Sequence, residues 1–512
     1  MGTALAARLA AAAFAAVMIA IGVLSWRAER RIGADAEGFW TAHRSITGWS
    51  LGMSLSASML SVSWSLVFGV ELLYRWGPGG AWLLAIPWLA VLGLFALLAP
   101  RLRRFAAFSQ GELFGKLYGD GLRRLTVVVL VAVFLVWCGA EIAAAGDLLA
   151  PLLAVSPRFA MAAIAVLVAS YAWTGGFRSV VATDVAQFAL IVCFLLIVGG
   201  RAGTGMGSGW GGWFGMTGPT PAVVGITLLA YITGWLAEAD IWLRLTAAPS
   251  DGHARLALAV TAAASLIFVL GLPAVLAARA RVIFPDPAAV QGMVLGPLLH
   301  QLLPPGMEVL LLTGLAAVAL STVSTTANVV AITVARDGMR AVGENARDLA
   351  RARWANGLAC IAALVVAFAS RSLAELFYLS SGLLAASLFW PTLGLLWDKP
   401  PLRAARAGAF CGLAAVVISF VADRRGMFGD LFPPAVREMG IGYIVPGVAV
   451  GALAFVMALL VTRAGGASRT GVIPALLSSS PPRIGVRGKL QRGSRITGSG
   501  RKGHSTPGCA VR

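Results

Sequence analysis

Charge is scarce in this sequence. Asp, Glu, Lys and Arg make up 12% of its 512 residues, 58% are hydrophobic, and the mean hydropathy is +0.83. That balance excludes an ordinary water-soluble domain, which is about 45–50% apolar, because such a fold would leave large apolar patches in water. Histidine is nearly missing: His43, His253, His300 and His504 all fall in expected loops or the tail. No His/carboxylate metal constellation or nucleophile motif accompanies them, so an enzyme is not expected. Of the five cysteines, Cys138, Cys193, Cys360 and Cys411 lie in apolar segments without metal-type spacing; they read as small core residues. Strict apolar/polar alternation is missing too, which excludes a membrane β-barrel and leaves helices as the way to satisfy a backbone in lipid.

What is present is a succession of apolar runs, each long enough to cross a hydrocarbon core of about 30 Å. Thirteen spans are expected, near residues 9–26, 48–73, 80–100, 125–147, 159–174, 183–201, 221–243, 255–279, 307–335, 354–371, 373–397, 404–423 and 441–463. In the first, Arg27, Arg30 and Arg31 follow the apolar run instead of preceding it, which favours an uncleaved anchor with an outside N-terminus over a signal peptide. With that orientation, 21 Lys and Arg fall in cytoplasmic loops, ten in outer segments and ten from Arg463 to the end of the tail. The positive-inside rule therefore agrees, and an odd number of spans puts the C-terminus inside. The same rule accounts for much of the net charge of +19 without nucleic acid as a partner. Residues 1–47 read as an anchor helix and cytoplasmic linker, 48–400 as the core and 401–463 as C-terminal membrane helices. Residues 464–512, rich in Gly, Ser, Pro, Arg and Lys, read as a disordered basic tail. The expected setting is the bacterial inner (plasma) membrane.

Two stretches do not look like plain lipid anchors. Ser54 to Ser65 holds six serines in twelve residues, and serine side chains compete for nearby backbone groups, so this span is expected to unwind around a cavity. Small residues allowing close helix packing are the plainer reading. The ninth span carries Ser321, Thr322, Ser324, Thr325, Thr326 and Asn328 within an apolar helix. Neutral hydroxyl and carbonyl oxygens suit a small, hard cation that must later be released. The expected ion site is thus where two interrupted helices, the second and ninth spans, meet in mid-bilayer. Ionisable residues inside spans cost about 2.5–3.5 kcal/mol each on insertion scales and need a partner or a purpose. Glu71, beside Arg75, reads as interfacial, and Asp184 suits a helix N-cap region as well as an ion site. Glu141 sits mid-span, and either of Glu238 and Asp240 could pair with Arg244.

At these residues the chain resembles the sodium:solute symporter family, roughly over residues 38–400. The resemblance is carried by Thr174-Gly175-Gly176-Phe177 leading to Thr183-Asp184 and Gln187, by Ser321-Thr322 followed by Ala335-Arg336-Asp337, and by Ala42-His43-Arg44-Ser45, where histidine replaces the family's glycine. It implies an all-α, LeuT-like fold: a five-plus-five inverted repeat, spans two to six and seven to eleven, with extra flanking helices and ion and solute bound at discontinuous helices near the midplane. Carried over by position, a sodium site uses the carbonyls of Ala57, Leu60 and Val318 with the hydroxyls of Ser321 and Thr322. A further ion site, found in some members, involves Asp184, Ser324 and Thr325. Trp64, Glu141, Trp235 and Glu238 are expected to face the solute from their polarity and place in that fold, with packing an equal reading for the tryptophans. Val318 stands where alanine is frequent. Met59 stands where proline permeases carry aspartate, so proline is not the expected solute, and Gly234 to Asp240 brings two acids in place of a neutral Gln-Pro-His-like run. The implied function is sodium-coupled symport of a small organic solute by alternating access, with sodium as coupling ion and no other cofactor. Proton coupling through Glu141, Asp184 or Glu238 is the nearest rival, and a membrane sensory module a more distant one.

Overall fold

The computed structural model describes residues 2–32 and 44–464, apart from 106, 108, 205–208, 291, 305, 341–345 and 370–371. The expected basic tail and the Ala42-His43 pair lie outside the described residues. Helix is the only regular structure among the described residues, as a backbone surrounded by lipid requires. In chain order the helices are α1 Gly2–Ile32, α2 Gly48–Met59, α3 Gly69–Trp76, α4 Ala85–Arg103, α5 Gln110–Tyr118, α6 Asp120–Leu153, α7 Pro157–Gly203, α8 Gly209–Phe214, α9 Pro221–Trp235 and α10 Ala239–Ala247. They continue as α11 Asp251–Ser265, α12 Leu272–Ile283, α13 Leu295–Leu302, α14 Glu308–Ile332, α15 Ala346–Ala369, α16 Leu373–Ser387, α17 Phe389–Gly394, α18 Leu402–Arg424, α19 Pro434–Met439 and α20 Ile444–Ala464. Single π-helical turns join α2 to α3 (Val62–Phe68) and α11 to α12 (Leu266–Gly271).

Ten helical stretches among the described residues are long and apolar enough to cross a membrane, and two shorter apolar helices, Pro157–Tyr171 and Leu373–Ser387, accompany them. The count differs from thirteen because the second expected span is broken near its middle. Its second half continues through a 3-10 turn at Gly77–Leu83 into α4, so Val62–Arg103 forms one stretch. α7 is helical throughout but cannot be straight. Tyr171 donates to the Leu320 carbonyl at 3.2 Å, while Phe194 packs on Gly314. Residues 171 and 194 would lie about 34 Å apart along a straight helix, against about 9 Å for 314 and 320. The chain folds back between them, so the fifth and sixth expected spans run as two arms.

Burial separates core from periphery. In α14, 83% of the apolar window is enclosed by protein, against 22% in α1 and 28% in α20, so α14 is the central helix and the other two present most of their surface to lipid. α14 packs against α2, α6, α7 and α15, and α2 also packs on α11 and α7. At the periphery α18 and α20 approach through small residues: a Cβ on Gly447 would come within 2.5 Å of Val416 Cβ. Close backbone packing of this kind replaces the hydrophobic drive that lipid removes. α1 is tied to the core by Arg8, whose guanidinium donates to the Leu153 and Ala154 carbonyls at 2.9 and 3.2 Å, at the C-terminal end of α6.

Candidate functional site

The serine-rich span is broken at one point. α2 ends at Leu60, Ser61 is extended (φ −85, ψ 144), and the chain re-enters helix at Val62. The new helix start leaves N–H groups without intrahelical partners, and Glu141 of α6 meets them. Its carboxylate accepts from Val62 N–H at 2.7 Å, Ser63 N–H at 2.9 Å, Ser61 Oγ at 2.5 Å and Ser63 Oγ at 2.6 Å. A buried carboxylate is stable there because every bond it accepts is to a polar donor at the positive end of a helix.

A second break lies in the seventh span. α9 stops at Trp235, Glu238 is extended (φ −70, ψ 114), and α10 begins at Ala239. The Trp242 indole donates to the Leu236 carbonyl freed at the break, at 3.0 Å. Gly234 allows α9 to approach α16, since a Cβ there would lie 2.6 Å from the Ser381 carbonyl oxygen. Glu238 takes the N-cap position of α10 but makes no capping bond with its side chain. Asp240 instead pairs with Arg244, and both are buried.

The ninth span, expected to be interrupted, is a continuous helix, α14. Its hydroxyls bond back to carbonyls three or four residues earlier, as in Ser324 to Ser321 (3.1 Å) and Thr326 to Thr322 (2.8 Å), which satisfies them without unwinding. Two also reach across to the broken helix. Ser321 Oγ lies 2.9 Å from the Ala57 carbonyl and 2.8 Å from that of Val318, and Thr322 Oγ1 lies 2.9 Å from the Ser58 carbonyl. The carbonyls of Ala57, Ser58 and Met59 are the last of α2 and Leu60 caps it, where a helix end leaves oxygens free. Uncharged oxygens from two helices therefore converge in the protein interior, a donor set suited to sodium.

Deeper along α14 the charged groups gather. Asp184 Oδ2 accepts from Ser54 Oγ at 2.6 Å and from Arg244 Nη2 at 3.4 Å, and the same Nη2 lies 2.9 Å from Ser54 Oγ and 3.2 Å from Thr325 Oγ1. Asp184 and Thr325 thus come together around a guanidinium, while Ser324 turns its hydroxyl to its own helix.

Between the two breaks lies a small cavity with about 60 Å³ of open space. Three indoles from three helices form its wall, Trp64, Trp88 and Trp235, with centroids 5.4–5.7 Å apart in edge-to-face pairs. Phe134, Trp137 and Phe377 add further aromatic surface, and Glu238, Asp240, Thr322 and Thr325 the polar part. Trp137 is fixed by its Nε1–H on Ser380 Oγ at 2.7 Å and Trp88 by Ser265 Oγ at 3.0 Å. Phe377 meets Phe68 at 5.4 Å, and Phe68 also borders a polar vestibule with Glu71, Arg75, Glu375 and Arg424. Glu71 there pairs with Arg75 at 2.5 Å and accepts from Val294 N–H at 3.0 Å.

Of the residues expected to face a solute, Trp64, Trp235 and Glu238 line this cavity, and Glu141 does not. Trp88, Trp137, Phe134 and Phe377 were not singled out from the sequence. Isolated aromatics in apolar spans carry no spacing that separates a cavity wall from core or lipid contact.

The model of the family described as "Sodium:solute symporter family" matches residues 39–213, in agreement with the resemblance drawn from the motifs. No curated protein matches the sequence. Among solved structures, the chain is similar to a Na+-coupled sialic acid symporter in a substrate-bound outward-open state. The identity is 16% and the TM-score 0.69, over 89% of this chain and 98% of that one. It is also similar to Mhp1, a nucleobase-cation-symport-1 family transporter, in a closed conformation with bromovinylhydantoin bound: 12% identity and TM-score 0.52, over 83% and 95% of the two chains. The fold is thus that of the LeuT-like transporters, as the resemblance implied, in an integral membrane protein.

Proposed function

We propose that this protein is a secondary active transporter that couples entry of a small organic solute to sodium by alternating access. The observation that carries the reading is the convergence of the Ser321 and Thr322 hydroxyls on the freed carbonyls of the broken helix, 2.9 Å from Ala57 and Ser58. Sodium is held there by the carbonyls of Ala57, Leu60 and Val318 and by the two hydroxyls. Because the ligands sit on α2 and α14, the ion binds best when these helices are close, and that differential affinity ties its binding to the state that receives the solute. The solute occupies the indole-lined cavity against Trp64, Trp235 and Glu238. Glu141 holds the unwound segment open and does not touch the solute.

Asp184, Ser324 and Thr325 bind no second sodium in this reading, since Arg244 already brings a positive charge to Asp184 and Thr325. The N-terminus faces outward and the C-terminus the cytoplasm of a bacterial inner membrane, in keeping with the loop charges. One observation favours proton coupling instead: Glu238 is a cavity carboxylate without a capping bond and could carry a proton.

Melting of the purified protein in NaCl against KCl tests the reading. A site-bound ion at about a hundredfold its Kd adds about 2.7 kcal/mol to stability. The sodium-specific rise should appear at fixed pH in the native protein and vanish in Ser321→Ala/Thr322→Ala. Equal stabilisation by potassium, or a rise unchanged in the double variant, rejects the site.

A further inference from the structure

The cavity wall is aromatic, its charged groups are acids, and among the described residues lining it there is no Lys, Arg or His. Glu238 is 3% exposed. It sits at a helix N-cap without using its side chain as a cap, and it lines the same cavity as the three indoles. Asp240 lines the same cavity but pairs with Arg244. Arg244 is itself divided among Asp240, Asp184, Ser54 and Thr325. Three buried carboxylates, Asp184, Glu238 and Asp240, thus share one guanidinium, and uncompensated buried charge is costly. A carboxylate-bearing solute would meet only like charge here. A cation would meet the negative faces of indole rings and Glu238, which of the three carboxylates makes no direct ion pair with Arg244 and only senses its charge.

We infer that the solute is an organic cation, an ammonium or quaternary ammonium group wrapped by Trp64, Trp88 and Trp235 and paired with Glu238. This rests on the reading of the cavity as the solute site of a sodium symporter, and it adds the charge class. Of the four buried carboxylates Glu141, Asp184, Glu238 and Asp240, Arg244 offsets one, and one sodium and one organic cation would offset two more.

The full-length protein in detergent, melted in NaCl with choline, ethanolamine or putrescine, tests it. The controls are 3,3-dimethylbutan-1-ol, which has the shape of choline without its charge, together with glucose and acetate. At least one cation should raise the melting temperature by several degrees while the neutral isostere, glucose and acetate do not. Glu238→Gln should raise the half-saturating concentration of that cation about tenfold or more. Trp64→Phe keeps an aromatic face and should weaken binding a few-fold, whereas Trp64→Leu should abolish it. The rise from NaCl alone should persist in Glu238→Gln, showing that the variant is folded. The inference is overturned if no cation stabilises, if the isostere matches choline, or if Glu238→Gln binds unchanged. With the NaCl rise intact, those outcomes remove only the solute class. A cation that binds through Glu238 in a protein indifferent to sodium removes the coupling reading and leaves this one standing.

Discussion

Ser321 gives one hydroxyl to two carbonyls, Ala57 and Val318, on different helices, so its loss removes a ligand of the proposed ion site and a contact between helices. Ser321→Ala is expected to raise the half-saturating sodium concentration about tenfold, equivalent to about 1.4 kcal/mol and typical of one hydrogen-bonding group. Sodium titration of the melting temperature measures this. Arg244 lies at the other extreme, a buried cation whose removal strands Asp184 and Asp240. Breaking a buried pair by deleting one partner costs about 3–5 kcal/mol, so Arg244→Met should melt well below the native protein. Sodium should recover part of that loss by entering beside Asp184, with steeper sodium dependence than in the native protein. Recovery by potassium to the same degree would mean that Arg244 serves packing alone.

Glu141 shows how a break in a helix is maintained from outside it. Four donors of the Ser61–Ser63 segment converge on its carboxylate, so Glu141→Ala leaves two backbone N–H groups buried without acceptors and the Ser61 and Ser63 hydroxyls, 3.1 Å apart, with only each other. At about 1–3 kcal/mol for each unsatisfied group, that variant should fail to accumulate as folded protein. Glu141→Gln keeps one acceptor oxygen and should fold with a lowered melting temperature, read by size exclusion and thermal scan. The same residue marks the limit of what a sequence shows. The Ser54–Ser65 break was legible because serines at that density compete with helical hydrogen bonds. Ser321–Thr326 carries the same signal yet stays helical, because no carboxylate from another helix takes its N–H groups and its hydroxyls bond inward. The break at Leu236–Glu238 was not legible as a break. Its local sequence is ordinary helix, and tertiary contacts interrupt it: the Trp242 indole on the Leu236 carbonyl and Gly234 against α16. Spans and motifs follow from hydrophobic length and short spacing, whereas the indole wall joins Trp64, Trp88 and Trp235 across three helices and exists only after folding.

Across the whole molecule the barriers on the two sides of the cavity differ. Toward the polar vestibule stands the Phe68–Phe377 pair. On the other side the end of α14 is latched to α5 and α6. Ser109 donates to Asp337 at 2.5 Å, Arg123 to the Asp337 carbonyl at 2.9 Å, Arg336 pairs with Glu112 at 3.1 Å and Arg340 with Asp120 at 2.5 Å. A single aromatic pair is easier to part than a ring of ionic contacts, so solute should exchange first through the vestibule. Asp337→Ala should shift the population toward opening on the latched side, seen as faster labelling of Thr326→Cys by a membrane-impermeant thiol reagent from that side. In the proposed cycle charge crosses the same path. A sodium ion carried with a neutral solute moves one charge per cycle, and one carried with an organic cation moves two. The membrane potential contributes about 2.3 kcal/mol per charge per 100 mV, so two charges supply about 4.6 kcal/mol, and the accumulation they can sustain rises from about 50-fold to about 2,000-fold. Currents recorded from proteoliposomes alongside uptake of the stabilising cation should therefore give two charges per solute molecule. A ratio of one would mean that the solute enters without net charge or without sodium, and repeating the uptake in potassium separates these.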